Sequence, residues 1–312
     1  MPATTRASVL IRLAVLAALC GCQTAPPAVN PERPARPAPP LALAADDVRA
    51  FPAAPAGFAD EHPGRPHGTV VAFGYDSPVT GTRRTANIYL PPGYSAQRRY
   101  PVLYLLHGIA GNQDEWRGYV RAQAILDNLL ADGQALPMIV VMPNGRALAD
   151  DRPPPAERTF MPEHIAGFER FESELLETLI PAIDAAYPTL AVREQRAIAG
   201  LSMGGGQALN IGLGHLDTFA WVGAFSAAPN TRPAAALVPD AAAASRLRLL
   251  YLSCGNQDSL LGVSRDLHRS LRQQGVPHVW NVDEHGHDRP SWANNLYHYA
   301  RQLFRPAAGP GA

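Results

Sequence analysis

Ala197-Ile198-Ala199-Gly200-Leu201-Ser202-Met203-Gly204-Gly205 is the stretch on which the fold turns. A short apolar run that reads as a strand is followed at once by a glycine-flanked serine. Gln207, Ala208, Leu209 and Ile211 then suit a helix. A strand that reverses sharply into a helix needs small residues on both sides of the turn, and the turn lifts the serine hydroxyl out of the sheet. The bare pattern G-x-S-x-G is weak, since chance supplies it in roughly one chain in ten of this length. Its position between strand and helix makes Ser202 a candidate nucleophile rather than one residue of a glycine turn.

On either side of it, Val102 to Leu106, Met138 to Met142, Trp221 to Phe225 and Leu247 to Leu252 are further short apolar runs. Each suits a strand buried on both faces. Thr69 to Tyr75 and Thr85 to Leu90, separated by the turn signal Thr80-Gly81, read as an antiparallel entry pair. Phe168, Phe171, Leu175, Leu179, Ile183 and Tyr187 recur at three- and four-residue steps and predict a helix that Pro181 should kink or shorten. Trp292, Leu296, Tyr299 and Leu303 repeat the rhythm. Strands alternating with helices predict an α/β fold with a central, mostly parallel sheet and helices on both faces. A single domain fits the 312 residues, because single cores stop growing at roughly 250 to 300.

The two ends have a different composition. Residues 1–22 carry Arg6 and Arg12 and an apolar run from Val9 to Cys20 that is too short for a membrane span, so they read as an export signal. It ends in Leu19-Cys20-Gly21-Cys22, which resembles a bacterial lipobox and points to lipidation at Cys22; an ordinary cleaved signal is the alternative. Residues 23–66 are dominated by Pro and Ala and predict a flexible spacer, residues 67–306 the folded domain and 307–312 a disordered tail. The expected place is the bacterial cell envelope, with membrane contact only through the lipid anchor. Twenty-seven basic residues balance 27 acidic ones, with no basic run to track phosphates, so nucleic acid is not an expected partner. Beyond Cys22 only Cys254 remains, and in its apolar surroundings it reads as a buried strand thiol.

A serine hydroxyl needs a base within reach, and the base needs an acid to orient it. Cys254-Gly255-Asn256-Gln257-Asp258 follows one buried strand and Glu284-His285-Gly286-His287-Asp288 follows another, Val279 to Val282. Both lie at carboxyl ends of strands, the edge where open α/β sheets bind ligands. His287 is the candidate base because Gly286 before it permits a tight turn. His285, two residues away, points the same way if the loop is extended and is the rival. Asp258 is the candidate acid, with Asp283 and Glu284 as rivals. After the strand Val102 to Leu106 comes His107-Gly108-Ile109-Ala110-Gly111, placed to supply a backbone N–H to an oxyanion; Met203, following the serine, supplies the other. His107 reads as a residue that shapes this turn. His285, His287 and His298 lack the accompanying Cys or carboxylate set of a metal site, so no metal is expected.

Tyr89-Leu90-Pro91-Pro92-Gly93-Tyr94, Tyr100 to Gly108, Met142-Pro143-Asn144-Gly145, Gly200 to Gly205, and Gly286-His287-Asp288 before Trp292 together resemble the putative-esterase family of α/β-hydrolases. That family holds feruloyl and acetyl xylan esterases, S-formylglutathione hydrolases, siderophore esterases and mycolyltransferases. The resemblance runs from about Gly68 to Phe304 and is tightest to feruloyl esterase domains. It implies Ser202 as nucleophile, Asp258 as acid, His287 as base, and Ile109 and Met203 as oxyanion donors. Relatives often carry glycine where His285 stands, which makes His285 a candidate substrate contact, with Trp116 and Trp292. The resemblance implies a cofactor-free serine esterase acting on small-molecule or oligosaccharide esters, feruloyl or acetyl in type. Two alternatives remain: an acyltransferase with the same triad, and a non-catalytic envelope lipoprotein that binds glycans.

Overall fold

In the computed structural model residues 42–305 are described; the export signal, Cys22, the first part of the spacer and the tail lie outside them. The chain runs through β1 (Thr69–Ser77), β2 (Thr82–Leu90), β3 (Val102–Leu106), α1 (Ala122–Ala131), β4 (Ile139–Pro143), α2 (Pro162–Ser173) and α3 (Ile180–Ala186). It continues through β5 (Arg196–Leu201), α4 (Ser202–Gly214), β6 (Trp221–Phe225), α5 (Ala234–Leu237), α6 (Ala241–Ala244), β7 (Leu249–Gly255), α7 (Leu261–Gln273), β8 (Val279–Asp283) and α8 (Arg289–Ala300). One sheet of eight strands has the order β1-β2-β4-β3-β5-β6-β7-β8. The β1–β2 and β2–β4 pairs are antiparallel, and every pair from β4–β3 to β7–β8 is parallel.

The unbroken apolar runs are explained by the two cores. Val102, Tyr104 and Leu106 of β3 enter one core with Phe171, Ile183, Leu209 and Leu267 of α2, α3, α4 and α7. Leu103 and Leu105 enter the other with Ile125 and Leu129 of α1 and Leu296 and Tyr299 of α8. Successive side chains of a strand face opposite ways, so a strand covered on both sides must be apolar at every position. Pro181 does not end its helix. A π-helical stretch, Glu174–Leu179, joins α2 to α3 and leaves Pro181 in the first turn of α3, where its missing N–H is tolerated.

The expected spacer is corrected over residues 42–66, which bind to the domain. Asp47 forms a buried ion pair with Arg265 (2.5 Å), Val48 accepts from the N–H of Val282 (3.0 Å), and Ala50 N–H donates to Asn281 (2.9 Å). Phe51 stacks on His298 at 4.9 Å, and Asn128 donates to the carbonyls of Phe58 and Asp60. Composition misleads here because the few anchoring side chains have partners far away in sequence, so a Pro/Ala-rich stretch gains order it could not gain alone. This strap lies behind the loop that follows β8. Among the described residues no helix is long and apolar enough to cross a membrane.

Candidate active site

The parallel strands end together, and the loops at their carboxyl ends carry the candidate nucleophile, acid and base. Between β5 and α4 the chain turns so sharply that Ser202 is held at φ 53°, a left-handed conformation costly for a residue with a Cβ. The turn closes only because its neighbours have no side chains. A Cβ on Gly204 would lie 2.5 Å from the carbonyl oxygens of Leu106 and His107, and one on Gly200 would lie 2.3 Å from the Gly204 carbonyl. As the first residue of α4, Ser202 sits at a positive helix end, and Met203 N–H is one of the amides a helix leaves without an internal partner.

Ser202 Oγ lies 2.9 Å from Nε2 of His287, and Nδ1 of that ring lies 2.8 Å from Oδ2 of Asp258. The sheet sets this line. Asn256 N–H donates to the Asp283 carbonyl (2.8 Å) and Gln257 N–H to the His285 carbonyl (3.0 Å), so the loops after β7 and β8 continue their strands' pairing. Asp288 caps α8 through Ser291 N–H and ends the His287 loop at the helix. The other Asp258 oxygen accepts from Leu260 N–H at 2.8 Å. Burial alone would raise the Asp258 carboxyl, but the hydrogen bond and charge of His287 and the Leu260 N–H outweigh it and hold the group below the usual carboxylate range. The acid therefore stays ionised and can support a protonated ring.

The rivals have other work. Asp283 is buried and accepts from Ser291 Oγ (2.9 Å), Asn295 Nδ2 (2.7 Å) and His285 N–H (3.0 Å), while Glu284 pairs with Arg49 at the surface. Three expected substrate contacts are also corrected. Trp116 is in the core, its Nε1 donating to the Leu106 carbonyl (2.8 Å) and its ring edge-on to Phe225. Trp292 is buried and perpendicular to the His287 ring at 5.1 Å, so it buttresses the base. His285 borders a small cleft with Arg49 and Phe51 of the strap, because the loop bends instead of running extended and histidines two apart diverge. Cys254 is fully buried, and burial pushes its thiol well above the usual range, which leaves no thiolate to react. His298 stacks on the strap, away from His287, and among the described residues no three His, Cys, Asp or Glu groups converge as a metal site would require.

Ser202, His287, Ile109 and Met203 open onto a cavity of about 980 Å³. Phe160, Ile165, Phe168, Ile211 and Leu260 give it an apolar wall. Glu172 and Arg232 bring charge to the same lining, and Glu172 pairs with Arg232 (2.9 Å) and with His215 (2.8 Å). Sequence reading missed this wall. Phe168 was visible only as part of a helix stripe, and nothing local marked Phe160, Glu172 or Arg232 as neighbours of Ser202. The arrangement is suited to attack on a carbonyl carbon by an activated hydroxyl, with an apolar group held in the cavity.

Residues 77–302 match the family described as "Putative esterase". The endo-1,4-beta-xylanase/feruloyl esterase of Xylanibacter ruminicola is 34% identical over 247 residues, covering 77% of this chain but 32% of that enzyme. The chain thus spans about a third of the length of that relative. A ferulic acid esterase of the anaerobic fungus Anaeromyces mucronatus superposes with a TM-score of 0.71 at 29% identity over 81% of this chain and 96% of that one. A second structure of the fungal enzyme, with ferulic acid bound, gives a TM-score of 0.69 at 28% identity, covering 81% and 96%.

Proposed function

Because the chain belongs to the putative-esterase family, we propose that it is a serine esterase that cleaves feruloyl- or acetyl-type esters of carbohydrates through an acyl-enzyme. The observation that carries this reading is the line from Asp258 through His287 to Ser202, with spacings of 2.8 and 2.9 Å, opening onto a largely apolar cavity. Ser202 Oγ attacks the ester carbonyl as His287 Nε2 takes its proton, and Asp258 stabilises the imidazolium. The N–H groups of Ile109 and Met203 hold the tetrahedral oxyanion. His287 returns the proton to the departing alcohol; water, activated by the same ring, then releases the acid. The residues named complete both half-reactions without a cofactor.

The feruloyl preference is supported by the match to a xylanase/feruloyl esterase and by the likeness to an enzyme whose structure holds ferulic acid. The cavity's size and aromatic walls suit an aryl acyl group. The test is hydrolysis of aryl, feruloyl and acetyl-sugar esters by the protein and by Ser202→Ala. Turnover in the first and a loss of about a millionfold in the second is expected; equal turnover in both sinks the proposal. The lipobox-like stretch before Cys22 extends the proposal to an envelope tether, which membrane fractionation of Cys22→Ser tests.

A further inference from the structure

Loop 107–111 is held by more hydrogen bonds than a turn requires. Gly108 N–H donates to Oε2 of Glu115 at 2.7 Å, and the Gly108 carbonyl lies 2.6 Å from Nδ1 of His107. The next carbonyl, that of Ile109, accepts from Nη2 of the buried Arg146 at 2.6 Å. Between these fixed points lies the Ile109 N–H. The Gly108 carbonyl and the Ile109 N–H belong to one planar trans peptide and point in opposite directions. That carbonyl also accepts the turn-closing bond of the Gly111 N–H at 3.1 Å, so the N–H is aimed by the turn and by the shorter bond from His107 together. Met203 N–H needs no such help, because α4 orients it, whereas Ile109 lies in a turn outside any helix or strand.

We infer that His107 is a positioning residue for catalysis, donating its Nδ1–H to the Gly108 carbonyl and so aiming the Ile109 N–H at the substrate oxygen beside Ser202. The inference rests on the esterase reading above. The ring's proton can be assigned from its partners. Gly145 N–H donates to Nε2 at 2.8 Å, so that nitrogen carries a lone pair and the single proton sits on Nδ1. Asn144 Oδ1, 3.1 Å from the same Nε2, is satisfied instead by the Arg146 N–H at 3.0 Å. Burial pushes the ring's pKa down to about 4 against the upward pull of the Gly108 carbonyl, and the Arg146 charge acts in the same direction as burial. The ring is therefore neutral at neutral pH. Gly111 leaves space for Glu115, whose Oε2 would lie 2.3 Å from a Cβ there, and Gly145, just after β4, fixes the ring through its N–H.

Two substitutions separate this role from mere packing. In His107→Asn the side-chain amide reaches the place of Nδ1 and keeps a donor for Gly108, but abandons Gly145. In His107→Gln the terminal group reaches the place of Nε2, keeps an acceptor for Gly145, and abandons Gly108. The expected result is that kcat on one aryl ester falls about tenfold further in Gln than in Asn, within the hundredfold or more that loss of an oxyanion donor costs. KM changes little in either, and affinity for an alkylboronic acid, which forms a tetrahedral adduct on the serine, falls in step with kcat. Asn falling as far as Gln, or further, overturns the inference, as does a loss of kcat that follows Tm instead of boronate affinity. A measurement on the unaltered protein stands independently of folding in the variants. Nitrogen-15 NMR of the histidine rings at neutral pH should show His107 neutral with its proton on Nδ1, and a proton on Nε2 overturns the inference. A wild-type protein that hydrolyses no ester would instead overturn the esterase reading itself.

Discussion

The two halves of the site are built differently. Ser202, Asp258, His287 and the 107–111 loop follow directly on strands, and their side chains and amides are tied by short bonds to backbone that continues the sheet's register. The cavity wall at residues 160–172 and 228–232 comes from α2 with the segment before it and from the excursion after β6, away from the strand ends. Ser202 is 7% exposed, whereas Phe160, which lines the same cavity, is 76% exposed. A group whose position must be kept to a fraction of an ångström stands on the rigid sheet edge, and the groups that choose the substrate stand where chain can be altered without disturbing that edge.

The contrast can be broken most severely at the acid. Asp258→Asn should lower kcat by about four orders of magnitude, since an amide cannot hold the imidazolium or the right tautomer. Asp283→Asn should instead lower Tm, because it strips partners from Ser291 and Asn295. A kinetic collapse in Asp283→Asn with intact folding would reverse their roles. At the elbow, Gly204→Ala places a Cβ 2.5 Å from two carbonyl oxygens. Overpacking of this kind costs about 1–3 kcal/mol or more and should displace Ser202, so kcat falls and Tm drops together. Unchanged kinetics and melting would show that the elbow is softer than its contacts imply.

On the other half, Phe160→Ala should raise KM for a feruloyl ester about tenfold and leave kcat nearly unchanged, because it removes apolar surface that substrate would cover. A fall in kcat without a change in KM would place Phe160 with the rigid half. The smallest effect concerns pH. Because burial holds the folded pKa of His107 at about 4 against an ordinary 6.5, the unfolded chain binds more protons between those values. Stability is fully present above that window and is lost as pH falls through it; His298, also lowered to about 4 chiefly by burial, adds to the loss. Urea melts of the wild type and His107→Gln at about pH 7 and about pH 4.5 should show a shallower loss in the variant. Equal losses would mean that His107 is not the dry, neutral ring described.

Much of the machinery was legible because it depends on local pattern. Three strands, Val102–Leu106, Trp221–Phe225 and β8, begin where the apolar runs begin, and Ser202 stands in its expected turn. Gly286 and the family resemblance name His287 over His285, and the resemblance names Asp258 over Asp283 and Glu284, but local spacing alone leaves the rivals open. Spacing along a loop does not say which way it bends, and three carboxylates after two strands look alike until their partners are known. The strap at 42–66 and the burial of Trp116 escaped for the same reason.

The alternation of strand and helix, the serine elbow and the loops from which its partners must come are local properties of the chain, since they follow from the periods of apolar residues and from glycines that only close backbone contact requires. Tertiary structure alone decided which acid meets the ring, which aromatic residues form core and which line the cavity, and how His107 meets both Gly108 and Gly145. Those contacts join residues tens of positions apart through the register of parallel strands, and a hydrogen bond only a few tenths of an ångström wide in tolerance cannot be read from neighbours along the chain.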